Sequence, residues 1–251
     1  MMIKMKIFIH MEYFYNYNFV SSYTKYETIK DASKADITVL NTNECNTTIF
    51  GENCSDESFF RKCLIAKNYL TLIKDHEPPV DIEHACKYLS YWAYQEVAKV
   101  SKYKYNVSTF LEKLMKSEIL YTCTGYIENL TEEVFSEIQK LIELHKSLAD
   151  ILTSGEKEED ACQRNKKCVE LYEGFKNTCS LNSDNPLCNE VENFRGTYNH
   201  IMYVTNKCKE FKYLPSYQKH SKVSSMTTPI VALSAISFVS FITYKVNNYF
   251  S

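Results

Sequence analysis

Glycine and proline are scarce in this chain, with five of each in 251 residues. Five dispersed glycines cannot build the glycine-rich loops that cradle phosphates or dinucleotides. Few glycines and prolines also mean few tight turns, which argues against a many-stranded sandwich or barrel. A strong charge imbalance is absent too. The net charge is -2 and the pI near 6.3, so the chain carries no basic footprint for nucleic acid. Catalytic signatures are absent: there is no GxSxG elbow, no GxxxxGK[ST] loop and no HExxH among the six histidines. Cysteine is what the chain has in excess, with ten residues.

Hydrophobic residues make up 45% and charged residues 24%, a balance that supports a folded core rather than disorder. The apolar spacing in the middle of the chain is helical. Residues 57–74 place Phe60, Cys63, Leu64, Lys67 and Leu70 at three- and four-residue steps, and His76-Glu-Pro-Pro79 ends the run. A second helix is predicted over 81–99 with Asp81 as N-cap, and a shorter one starting from Ser108. The most regular stripe runs from Val134 to Leu152, capped by Thr131 and ended by Ser154-Gly155. His145 lies inside that stripe and is read as a hydrogen-bonded core residue. Two more helices are predicted over 161–179 and 186–208. A strand has room only at Asp36–Leu40, and residues 1–56 are the least defined part of the pattern.

Near the C-terminus, Thr227 to Tyr244 is a run of 18 residues without a charge. As a helix it would reach roughly 27 Å, close to the thickness of a bilayer core. Pro229 and Ile230 open the run, Phe238 and Phe241 lie within it, and Tyr244 stands where an interfacial aromatic would anchor it. The sequence therefore divides into a poorly defined segment 1–56, a helical domain 57–218, a polar linker 219–226, a membrane span 227–244 and a short tail 245–251. The fold class expected is mainly α: a disulfide-containing helical ectodomain followed by one transmembrane helix. The tail carries one lysine, Lys245, so a signalling tail is expected to be either absent or truncated. At the other end, Glu12, Asn16 and Asn18 interrupt any signal-peptide core.

The ten cysteines are Cys45, Cys54, Cys63, Cys86, Cys123, Cys162, Cys168, Cys179, Cys188 and Cys208. An even number ahead of a membrane span fits up to five disulfides in an oxidising compartment. The shortest interval between two of them is six residues, which is not the two-to-four spacing of structural zinc pairs. Cys162, Cys168, Cys179, Cys188 and Cys208 surround the last two helices and are expected to staple that hairpin. Cys63 and Cys86 read equally well as half-cystines or as small buried hydrophobes. Four asparagine sequons occur, at Asn46, Asn53, Asn106 and Asn129.

The segment Cys86-Lys-Tyr88-Leu89-Ser-Tyr91-Trp92-Ala93-Tyr94-Gln-Glu96-Val97 holds the single tryptophan. Together with Phe60–Leu70 and the downstream cysteine order, it resembles the Plasmodium interspersed repeat proteins, the PIR or Vir-type variant antigens. The resemblance covers roughly Ser58 to Tyr244. Ala93 stands where that family usually has leucine, and 1–56 matches poorly. The resemblance implies a non-enzymatic, polymorphic surface protein of the parasite or infected blood cell, serving antigenic variation, immune evasion and sometimes adhesion. It implies no catalytic residue and no cofactor. Its partners are the lipid bilayer and an unspecified host receptor or antibody. From the residues alone, Leu89, Trp92 and Ala93 are core positions, while Tyr91 or Tyr94 is expected at the surface. A rival reading is an intracellular tail-anchored adaptor, because Lys207, Lys209, Lys212, Lys219 and Lys222 precede the apolar run and one lysine follows it.

Overall fold

The structure, a computed structural model, describes residues 15–34, 45–115, 121–153, 158–181 and 185–218. Among these residues it is helical without a strand. The helices are α1 (Tyr23–Ala32), α2 (Thr47–Phe50), α3 (Glu57–Lys74), α4 (Ile82–Ala93), α5 (Val107–Met115), α6 (Glu132–Leu152), α7 (Glu158–Glu173), α8 (Lys176–Leu181) and α9 (Pro186–Thr205). The strand suggested at 36–40, the stop at Ser154-Gly155 and the whole run 227–244 lie outside the described residues. No helix among the described residues is long and apolar enough to cross a membrane.

Local chemistry sets most of the boundaries. Asp56 accepts from the Phe59 N–H at the start of α3, and Asp81 accepts from the His84 N–H at the start of α4. Thr131 caps α6 through the Val134 N–H, with Glu132 and Glu133 against the N-terminal dipole. Thr131→Ala is expected to cost about 1 kcal/mol in urea unfolding. Asn185 caps α9 ahead of Pro186, and Asn206 ends it in the left-handed region at φ 46°.

Four boundaries depart from the sequence pattern. The α5 cap is Asn106, whose Oδ1 accepts from the Thr109 N–H, while Ser108 lies inside the helix and donates to Glu112. The segment 81–99 is α-helical to Ala93 and then widens into a π turn over Tyr94–Ala98. The segment 161–179 is two helices, because the chain turns at Gly174-Phe175. A Cβ at Gly174 would sit 3.1 Å from the Leu171 carbonyl oxygen, so the turn suits glycine. The last helix stops at Thr205, leaving Cys208 beyond it.

One hydrophobic core joins all of this. It runs from Tyr15 and Phe19 through the helices to Leu214, so the described part of 1–56 belongs to the same body. α4 lies at its centre: every residue from Ala85 to Ala93 is buried. Lys87 survives that burial through an i−4 ion pair with Glu83 at 2.7 Å, and Ser90 donates back to the Cys86 carbonyl. α1, α3 and α5 pack around α4. α6 links this half to α7 and α9, touching the turn at Asn18–Ser22 on one side and both later helices on the other.

Candidate functional site

The family-like block on α4 forms the floor of a cleft of about 870 Å³ between α1, α3 and α4. Tyr88, Leu89, Tyr91 and Trp92 are all buried or nearly so, at 2%, 1%, 6% and 8% exposure. Of the two tyrosines, one of which is expected at the surface, Tyr91 is a core residue and Tyr94 is the more open. The Tyr91 ring stacks on Phe135 of α6 at 5.2 Å. Tyr94, one turn on, is half-buried and donates to Glu132. Tyr23, Tyr88, Tyr91 and Trp92 line the cleft. Tyr23 packs on Tyr88 at 5.6 Å and on Tyr91 at 6.3 Å, and Tyr88 also meets Tyr26 and Tyr69.

The rim carries charge of both signs, and its cations are matched. Lys62 donates to the Glu96 carbonyl at 2.9 Å and lies 3.3 Å from the Glu96 carboxylate. Glu96 lies in the last turn of the helical segment ending at Ala98, where carbonyls have no intrahelical donor. Lys30 and Lys34 share Asp31, Arg61 pairs with Glu57, and Lys102 pairs with Asp56. Burial raises the phenols of the floor, Tyr91 to about 12 and Tyr23 and Tyr88 further. At neutral pH they are uncharged donors. Among the described residues, no histidine or cysteine lines the cleft. The cleft thus has an aromatic floor inside a ring of paired charges.

Asp56 is a residue the spacing rules passed over, although an aspartate just before an apolar run signals a cap. It joins the α3 cap to the far side of the cleft, accepting from Lys102 and Tyr103. Lys102, then the Phe59 N–H, hold its carboxyl down to about 2, against an ordinary 3.8. Since folding favours the ionised form, the stability it contributes is present above about pH 4 and disappears as pH falls toward about 2. Comparing the unfolding stability of the native chain and Asp56→Asn across that range should show the gap between them closing on acidification.

Eight cysteines pair: Cys45–Cys63, Cys86–Cys123, Cys162–Cys208 and Cys179–Cys188. The last two staple the closing helices, as the clustering suggested. Cys63 and Cys86 are half-cystines as well as buried residues. Two of the ten candidates are not: Cys54 and Cys168 remain thiols. Cys54 donates to the Cys45 carbonyl, and Cys168 is buried between helices, where desolvation pushes its thiol up to about 11. Alkylation of the native, unreduced protein is therefore expected to modify Cys54 first and Cys168 only on unfolding. Mass spectrometry should find the other eight modified only after reduction.

The histidine at 145 differs from its expected role. It is half-buried, its ring edge-on to Phe194, and its Nε2 lies 3.7 Å from Glu190 Oε1 on α9. Neither atom has a hydrogen-bond partner among the described residues. Glu190 itself is 5% exposed, a buried carboxylate on a helix whose sequence gives no hint of it. Among the described residues no group of histidine, cysteine and acidic side chains is placed to hold a metal. Pro229, Ile230, Phe238, Phe241 and Tyr244 fall outside the described residues.

No family model, curated protein or solved structure matches this chain.

Proposed function

We propose that this chain is a non-enzymatic surface antigen of the PIR or Vir type, held by a single C-terminal span, with its helical domain facing host plasma or host cells. Its role on this reading is antigenic variation and immune evasion, with adhesion to host cells as an accompanying activity. The observation that supports the exposed placement is the pairing of eight of the ten cysteines across the body of the domain. Disulfides in such number persist in oxidising compartments and are rare where glutathione keeps thiols reduced. The aromatic block on α4 supports the family reading through its sequence, while its burial makes it scaffold rather than contact surface. Variation would then fall on the exposed faces around it. Antibody labelling of intact infected cells tests the proposal. Signal that requires permeabilisation would overturn it.

The second reading is the tail-anchored adaptor with a cytosolic domain. It draws on the five lysines from Lys207 to Lys222 that precede the apolar run, against Lys245 after it. Electrophoresis separates the two. A mobility shift on reduction, in protein trapped with alkylating agent at lysis, favours the exposed domain, and no shift favours the adaptor.

A further inference from the structure

Two of the four sequons meet at one place in the fold. Asn106 stands just before α5, and its Oδ1 accepts from the Thr109 N–H at 2.7 Å. Asn129 comes from the segment ahead of α6, and its Oδ1 accepts from the Ser108 N–H at 3.0 Å. Side chains of two separate sequons, Asn106-Val-Ser108 and Asn129-Leu-Thr131, therefore cap adjacent N–H groups of one helix start. Packing holds them there. The middle residues Val107 and Leu130 are buried in the core, and Cys86–Cys123 fastens the chain ahead of Asn129 to α4. Both asparagines themselves are exposed. Each faces an N–H donor, so its oxygen must turn to the helix and its nitrogen is the free end. Among the described residues, neither Nδ2 carries a hydrogen bond.

That geometry is what an N-linked sugar asks of a finished fold. Transfer from a lipid-pyrophosphate oligosaccharide joins the asparagine nitrogen to C1 of N-acetylglucosamine. The bond from C1 to the pyrophosphate oxygen breaks, the lipid pyrophosphate leaves with the electron pair, and one amide proton is released. The product is a secondary carboxamide whose oxygen still accepts, so both α5 caps survive the modification. The sugar is bulky and belongs at an open surface. Asn46 and Asn53 meet that requirement poorly. Both are half-buried, Asn46 at the start of the four-residue α2 and Asn53 beside Cys54, whose thiol turns in to the Cys45 carbonyl. Near Asn129 there is also something to cover. Tyr126, 39% exposed, is one of five large hydrophobic side chains exposed among the described residues. Three peptide steps, at most about 11 Å, separate it from Asn129.

We propose that Asn106 and Asn129 form a paired N-glycosylation site, whose two sugars, each rooted in N-acetylglucosamine, cover the start of α5 and the turn carrying Tyr126. This inference rests on the exposed placement in the proposed function, since a cytosolic domain meets no such donor. Glycopeptide mass spectrometry of the full chain, isolated from the cells that make it, tests it, with the Cys86–Cys123 peptides scored in the same digest. N-acetylhexosamine is expected on the Asn106 and Asn129 peptides, at clearly higher occupancy than at Asn46 and Asn53. Asn106→Asp and Asn129→Asp keep an oxygen for each cap and remove the nitrogen that bears the sugar. Each should take one sugar off the intact mass, and the double variant both, in a chain that still folds. Sugar on only one of the two, or occupancy at Asn46 and Asn53 as high as theirs, overturns the paired site. Unmodified asparagines in a chain with Cys86 bonded to Cys123 overturn it as well and leave the exposed placement standing. Unmodified asparagines with both cysteines as free thiols remove the placement and the paired site together.

Discussion

The Cys86→Ala, Cys123→Ala double variant is expected to lose about 4 kcal/mol of folding stability relative to the oxidised chain. The bridge closes a separation of 37 residues, and its loss restores the corresponding freedom to the unfolded chain. Both cysteines are fully buried, so alanine also leaves a small void beside the central helix. The same reasoning ranks the four bridges. Cys162–Cys208, with a separation of 46, should cost about as much, and Cys45–Cys63, with 18, about 3 kcal/mol. Cys179–Cys188, with a separation of nine, should cost least, near 2.5 kcal/mol. Urea unfolding of the four paired variants checks the order. A Cys179–Cys188 deletion more damaging than the Cys86–Cys123 deletion would mean that local strain, not chain entropy, dominates these bridges.

Phe59→Ala is expected to cost about 3–5 kcal/mol, the usual range for emptying a buried aromatic site. Phe59 is fully buried, and its ring meets Phe50, Tyr103, Tyr105 and Phe110 at centroid distances of 5.5, 5.0, 5.9 and 5.9 Å. Those partners come from α2, α5 and the loop between α4 and α5, so one ring holds four segments of the chain together. Phe59→Leu keeps much of the volume and should lose clearly less. The adjacent Phe60 is half-buried, and Phe60→Ala should fall well below Phe59→Ala in the same denaturant series. Equal losses at 59 and 60 would contradict the packing described here.

That pair of phenylalanines shows where sequence reasoning stops. Periodicity placed Phe60 on the stripe of α3, and the helix itself spans the expected residues, Glu57 to Lys74. Choosing between two neighbouring rings depends on which side α2 and the 103–105 loop approach from. Period alone carries no such information. α4 fails in the other direction: a pattern with one expected solvent face is buried from Ala85 to Ala93, because α1, α3, α5 and the Asn18–Ser22 turn pack on it and Phe135 of α6 covers Tyr91. Tyr91 went inward for that reason. The candidate cleft was legible as a motif and not as a place, since its rim comes from Lys30, Lys34, Asp56 and Lys62, up to 61 residues from the tyrosines they surround.

Helix type, most helix starts and the presence of disulfides follow from short-range chemistry: side-chain caps, apolar spacing and the number and separation of cysteines. These act within a few residues or depend on composition, so they can be read along the chain. Which sulfurs pair was open among hundreds of combinations, and Cys54 and Cys168 are left as thiols because no second cysteine reaches them in the packed state. The burial of Glu190 and the π turn at Glu96 arise the same way. Each depends on how distant helices meet, and that is decided by burying one shared core, not by any local stretch of sequence.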